Sequence, residues 1–127
     1  LANLTRLYWY TVEFGLIDSA EGLRIYGAGI LSSKGESIYC LDSDAPNRIG
    51  FDLKRVMQTR YRIDTYQKTY FVIDSFDQLF RATVDPDFGP IYYELKGATA
   101  FPAGDVLAGD RVFQRGSGEG WPADGDV

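Results

Sequence analysis

Histidine is absent from all 127 residues, so the general-base and metal-ligand roles that imidazole usually fills are unavailable within this chain. Cysteine occurs once, at Cys40. That excludes an internal disulfide framework and fits a reducing compartment, with Cys40 itself reading as a small buried hydrophobe. Positive charge is thin: 13 Lys and Arg face 18 Asp and Glu, for a net charge of −5, and the basic residues are scattered. No nucleic-acid partner is expected from that pattern. No apolar run is long enough to span a bilayer and no signal peptide stands at the start, so a soluble, cytoplasmic protein with no membrane partner is expected. There is also no initiating Met. The chain opens at Leu1, directly on an apolar helical pattern with only Asn3 as a cap, and so reads as a piece of something longer.

What is present is hydrophobic and aromatic. Apolar residues make up 45% of the chain and aromatic ones 15%, with nine Tyr and eight Phe, which supports one packed domain of ordinary size. The densest stretch is Tyr-Trp-Tyr-Thr-Val-Glu-Phe-Gly-Leu at 8–16. Wound as a helix from about Asn3 to Phe14, with Gly15 as its stop, it is apolar on nearly every face and is expected to be buried. Glu13 lies inside it. A buried carboxylate needs a cation, a hydrogen-bond cage or a proton, and no residue three or four positions away is basic. Two readings stay open on these grounds. Glu13 is either a structural carboxylate paired with a distant arginine such as Arg24 or Arg60, or a metal ligand or catalytic acid.

Further along, residues 17–22 read as a turn and Leu23 to Tyr26 as a short strand. Gly27-Ala28-Gly29 suggests a bend or a close backbone approach. Ser33 followed by Glu36 matches a capping box opening a helix from Lys34 to about Leu41. Residues 42–47 read as a polar loop, 52–57 as a short helix, and Thr69 to Ile73 as the clearest strand. Ser75 and Gln78 give a second capping-box pattern, for a helix burying Phe76, Leu79 and Phe80 and ending near Thr83. Pro86 to Pro90 breaks the pattern, and Ile91 to Leu95 reads as extended. Beyond Gly97 the chain becomes an irregular extension, with 115–127 expected to be disordered.

The segment Tyr26 to Glu36 combines two glycines, paired serines and a helix start. It suits either a backbone N–H site for a small anion or carboxylate, or a plain strand-to-helix connection in which Glu36 completes the cap. It lacks the Gly-Lys-Ser/Thr ending of a phosphate loop. Tyr61, Tyr66, Tyr70, Phe71, Phe76 and Phe80 read as core rather than as a binding platform.

Three motifs together carry a resemblance. Leu-Tyr-Trp-Tyr-Thr-Val-Glu-Phe-Gly-Leu at 7–16, Arg-Ile-Tyr-Gly-Ala-Gly-Ile-Leu-Ser-Ser at 24–33 and Glu-Ser-Ile-Tyr-Cys-Leu at 36–41 resemble the pterin-dependent aromatic amino acid hydroxylases, nearest their bacterial phenylalanine 4-hydroxylase branch. Residues 60–80 resemble the same branch, so the resemblance covers residues 1–95. It implies an α+β fold, predominantly helical with short strands, in which residues 1–96 form the C-terminal half of a catalytic domain and 97–127 an extension. It also implies a non-haem Fe(II) held by two histidines and one glutamate, with positions left open for water and O₂.

By motif, Glu13 matches the glutamate ligand and Tyr8 an aromatic residue beside the pterin. Trp9, Phe14, Gly29, Ser32 and Glu36 match the lining of the amino-acid pocket, and Ser32 also a hydrogen-bond donor near a ligand histidine. The implied activity is hydroxylation of an aromatic amino acid, phenylalanine to tyrosine, with Fe(II), tetrahydrobiopterin or a related tetrahydropterin, and O₂. The two histidines, the groups that hold the substrate's amino-acid end and most pterin contacts fall upstream of Leu1 in that family. Catalysis by this chain alone is therefore not expected. The alternative is a catalytically inactive remnant or binding module lacking the histidine ligands. Severed from its neighbours, the isolated chain is expected either to self-associate through the apolar helix around Glu13 or to be a loosely packed state that binds hydrophobic dyes.

Overall fold

A computed structural model describes residues 2–84 and 87–127. The chain opens with helix α1 (Ala2–Tyr8), which runs without a break into a π-helical turn, Trp9–Glu13. The single apolar helix expected from 3 to 14 is thus a composite. It is also not apolar-buried all round: Leu7, Tyr10 and Phe14 are buried, whereas Leu4, Tyr8 and Val12 stay 47%, 54% and 47% exposed. These three recur every fourth residue and share one helical face, which the rest of this chain leaves uncovered. Gly15 follows the helix but does not take the left-handed conformation that a glycine stop uses.

Strands β1 (Leu16–Ser19) and β2 (Gly22–Ile25) pair antiparallel as a hairpin, so the expected turn at 17–22 shrinks to Ala20 and Glu21, with Gly22 at positive φ. Helix α2 (Ala28–Leu31) takes the place of a simple bend at 27–29. Helix α3 (Lys34–Asp42) starts where expected, with Ser33 accepting from the Glu36 backbone N–H.

Strand β3 (Asn47–Gly50) begins on the last residue of the expected polar loop 42–47 and runs over residues with little strand character. Pairing decides it instead. The segment lies parallel to β4 (Thr69–Ile73) in register Asn47 to Thr69 through Gly50 to Val72. Its polar side chains are satisfied by tertiary partners. Asn47 bonds Thr69, the Gly104 carbonyl and the Gly116 N–H, and Arg48 donates to the carbonyls of Cys40 and Ser43. Helix α4 (Leu53–Met57) falls in the short helix expected over 52–57, with Asp52 as its cap, and lies on the crossover that parallel strands require.

Strand β4 is buried along its whole length and sits in the middle of a five-stranded sheet ordered β2-β1-β4-β3-β5, where β5 is Val112–Gln114. Its alternation splits the core in two. Phe71 and Ile73 point into a cluster with Leu7, Tyr10, Ile49, Val56, Met57 and Tyr61. Tyr70 and Val72 point into the other, with Phe14, Leu16, Ile30 and Cys40. The composite helix therefore contributes to both sides. Cys40 is fully buried as expected, and burial pushes its thiol up to about 12.

Helix α5 (Phe76–Val84) begins at its Ser75 cap, but Phe76 and Phe80 are exposed rather than buried. Of the expected breaker segment, Pro86 lies outside the described residues. Phe88–Leu95 forms helix α6, capped by Asp87, rather than an extended piece. Pro90 sits in its first turn, where no helical N–H is lost.

Residues 97–127 contain few regular elements but do not run free. Arg55 in α4 is buried and forks onto both oxygens of Asp110 at 3.0 and 3.2 Å, donating also to Thr59 and the Asp105 carbonyl. The segment expected to be disordered returns to the domain through Asp126, which meets Arg62 and Lys68, and through Val127, whose backbone pairs with Tyr61. Glycine-rich composition suggested disorder; buried ionic anchors distant in sequence override it.

Candidate functional site

The π-helical turn sets the geometry around Glu13. The Phe14 N–H reaches five residues back to the Trp9 carbonyl at 2.9 Å, one residue wider than an α-helical bond. Residues five apart are thereby brought onto one face. The Tyr8 hydroxyl donates to Glu13 Oε1 at 3.3 Å, a local partner that α-helical spacing of three or four does not offer. Thr11 is buried and bonds back to the Leu7 carbonyl at 2.7 Å, occupying a backbone acceptor at the junction.

Glu13 is half-buried rather than enclosed. Its other carboxylate oxygen faces α2. A Cβ on Gly29 would lie 2.9 Å from Glu13 Oε2 and 2.9 Å from Phe14 Cζ, so any side chain there would push the carboxylate and the ring aside. Gly27 makes a tighter approach to the backbone, with its would-be Cβ 2.4 Å from the Glu13 carbonyl oxygen. The arginines considered as distant partners are engaged elsewhere. Arg24 lies against Glu21, and Arg60 donates to the Asp126 carbonyl.

The structure gathers Tyr8, Glu13, Phe14 and Gly29 into one contact set. Ser32 joins it at one remove, since its hydroxyl donates to the Gly29 carbonyl at 2.9 Å. Trp9 stands beside Phe14 with ring centroids 4.8 Å apart, and stacks on Tyr61 at 4.6 Å. Glu36 belongs to a neighbouring network. Its carboxylate does not reach back to cap its own helix. Instead, Oε2 accepts from the Tyr70 hydroxyl at 2.5 Å and the Gln67 N–H at 3.1 Å. Burial holds the Glu36 carboxyl above the ordinary carboxylate range, against the pull of those two hydrogen bonds. Burial first, and then the facing Glu36 charge, raises Tyr70, so the phenol keeps the proton it donates.

Three residues of this neighbourhood lie in the 60–80 stretch of the resemblance but are not among the expected site residues. Tyr61 was read only as core, yet it stacks on Trp9. Gln67 accepts from the Trp9 indole N–H at 3.2 Å. Tyr70 is core by burial and a partner of Glu36 by its hydroxyl. A cavity of about 520 Å³ lies elsewhere, lined by Gly50, Arg55, Gln58, Asp74, Asp110 and Arg111 among others. None of the candidate residues lines it, and its arginines are paired with Asp110 and Asp74. Among the described residues there is no group of three His, Cys, Asp or Glu placed to hold a metal.

A family model described as biopterin-dependent aromatic amino acid hydroxylase matches residues 1–84, the stretch that carries this whole arrangement. The chain belongs to that family. Phenylalanine-4-hydroxylases of Chromobacterium violaceum and Ralstonia nicotianae are each 65% identical to it over 127 residues, all of this chain but 42% and 40% of those proteins. The chain thus spans about two fifths of the length of the curated relatives it matches. Both alignments run through 97–127, so the family likeness extends past the residue 95 limit that the motifs suggest.

Among solved structures, the iron- and phenylalanine-bound phenylalanine hydroxylase of C. violaceum superposes with a TM-score of 0.85 at 68% identity, covering 87% of this chain and 41% of that one. A second structure of that enzyme, with iron(III) and 7,8-dihydrobiopterin, gives 0.82 at 67% identity, covering 87% and 39%. The mixed α and β architecture expected for a partial hydroxylase domain is the one observed. No helix among the described residues is long and apolar enough to cross a membrane.

Proposed function

We propose that this chain is part of an iron- and tetrahydropterin-dependent monooxygenase that converts phenylalanine to tyrosine. Residues 1–96 are then the latter half of its catalytic domain. The observation that carries the reading is the contact of Glu13 with Tyr8, Phe14 and Gly29, in a chain 65% identical throughout to phenylalanine-4-hydroxylases.

The residues present fit one share of such an iron site. A half-buried carboxylate, with one oxygen tied to a phenol and the other pressed against a glycine, is held in place and leaves lone pairs for a hard cation. Two further ligands must come from outside the chain. When bound, the iron and the reduced pterin supply the activation of O₂. The chain's own residues then have distinct tasks. Glu13 gives the cation a charged ligand. Tyr8 donates to that carboxylate and limits its rotation. Trp9 and Phe14 offer the flat apolar surface on which an aromatic ring packs and from which water is kept away. Gly29 leaves room for the carboxylate, and Ser32 fixes the Gly29 carbonyl. Glu36, expected in the pocket lining, supports Trp9 indirectly, by accepting from the N–H of Gln67, whose side chain accepts from the indole. The aromatic amino acid and O₂ are the partners of the complete protein.

The test is Glu13→Gln in the full-length protein. An amide is a poorer ligand for Fe(II) than a carboxylate, so the variant keeps its fold but loses most of its iron and most phenylalanine hydroxylation. Full iron occupancy with near-normal turnover would instead make Glu13 a structural residue.

A further inference from the structure

Gln67 falls within the 60–80 stretch of the family likeness without a role assigned to it there, yet it is 1% exposed, and its side-chain oxygen, side-chain nitrogen and backbone N–H are all engaged. Its side-chain oxygen accepts from Trp9 Nε1 at 3.2 Å and from the Arg62 N–H at 3.2 Å. Its side-chain nitrogen donates to the Arg62 carbonyl at 2.8 Å, and its own N–H donates to Glu36 Oε2 at 3.1 Å. The Trp9 ring also meets two other rings, Tyr61, stacked at 21°, and Phe14, tilted at 33°. Ring-on-ring contacts resist separation but allow sliding and in-plane rotation. The indole N–H bond is directional and opposes both.

Gln67 is itself held still. Bonds to both backbone groups of Arg62 close the loop 62–67, whose tip at Ile63 to Tyr66 is exposed. The Arg62 guanidinium is 2% exposed on its side chain and reaches Asp64, Thr65, the Asp124 carbonyl and Asp126. Asp126 is fixed in turn by Lys68 at 3.0 Å and the Ala103 N–H at 2.8 Å. The amide that meets Trp9 is thus anchored to two separate stretches of chain.

We propose that Gln67 is a positioning residue that orients the Trp9 indole as the wall of the aromatic pocket. This rests on the reading of Trp9 given under Proposed function. Gln67→Met keeps length and apolar volume but removes the acceptor. As a second variant, Trp9 is replaced by β-(3-benzothienyl)alanine, which swaps the indole N–H for sulfur and leaves the Gln67–Arg62 loop intact. Both are made in the full-length, iron-loaded protein. Each is expected to raise KM for phenylalanine about fivefold, the worth of one net hydrogen bond, with iron content and KM for the pterin unchanged.

A second readout does not depend on turnover. In protein labelled with 5-fluorotryptophan, the Trp9 fluorine resonance, assigned by its loss in Trp9→Phe, is expected to shift and broaden in Gln67→Met. An unchanged KM in the benzothienyl variant together with an unmoved Trp9 resonance in Gln67→Met overturns the proposal. A full-length wild-type protein that hydroxylates no aromatic amino acid refutes the functional reading instead, and the Trp9 resonance still decides the role of Gln67.

Discussion

Gly29→Ala separates the site's steric demand from the fold's. Within a helix, alanine is preferred over glycine by at most about 1 kcal/mol. At this position the new Cβ would stand 2.9 Å from Glu13 Oε2, 2.9 Å from Phe14 Cζ and 3.0 Å from the Glu13 carbonyl oxygen. The first two atoms are the ends of side chains and give way; the third is at the edge of tolerance. Overpacking costs about 1–3 kcal/mol, so the net loss of stability is about 0–2 kcal/mol.

The displacement falls on the Glu13 carboxylate and the Phe14 ring. Gly27→Ala differs in kind, because its Cβ would meet the Glu13 carbonyl oxygen at 2.4 Å and the Gly15 nitrogen at 2.6 Å. Backbone atoms cannot step aside without moving the π-helical turn, and the expected cost is about 3 kcal/mol or more. The assay is a thermal melt, iron content and phenylalanine turnover for both full-length variants. Gly29→Ala should melt close to wild type while losing most of its iron and activity, and Gly27→Ala should lose stability first. If both variants lose stability equally, or Gly29→Ala keeps full iron and wild-type turnover, the steric reasoning is wrong.

Other outcomes follow from the same geometry. Glu36 has a raised folded-state pKa, so its contribution to stability is full below the unfolded value of about 4.3 and is lost as pH rises through the folded value. Glu36→Gln keeps an acceptor for Tyr70 and Gln67, and should equal or exceed wild-type stability at neutral pH, with the advantage vanishing toward pH 4 in denaturant unfolding; a pH-independent deficit would contradict this. Asp110→Ala strands the buried Arg55 charge and should cost about 3–5 kcal/mol, whereas Asp74→Ala at the half-exposed Arg111 pair should cost about 0–1 kcal/mol. Equal losses at the two sites in chemical denaturation would show that burial is not what separates them. The isolated 127-residue chain exposes Leu4, Tyr8 and Val12 on one helix and Phe76, Phe80 and Val84 on another, and should self-associate or bind hydrophobic dyes. A dye-silent monomer by sedimentation would show that these faces are tolerated.

Local signals in the sequence determined the caps and the central strand. Ser33 and Ser75 open helices where their patterns place them, because capping is a bond between neighbours in the chain. Thr69 to Ile73 forms the central strand because its β-branched and aromatic residues suit burial on both faces. The motifs at 7–16, 24–33 and 36–41 together pointed to the family, because a run of specific residue types is read from the chain without its fold. Tertiary structure decided the rest. Asn47 to Gly50 is a strand because β4 and β5 lie beside it, and 115–127 is anchored by partners such as Arg62, Lys68 and Tyr61 that lie far away in sequence. The π-helical turn that brings Tyr8 to Glu13 departs from the regular period on which helix reading depends. Gln67 meets Trp9 across 58 residues, a distance over which neither periodicity nor spacing carries information and only packing brings donor to acceptor.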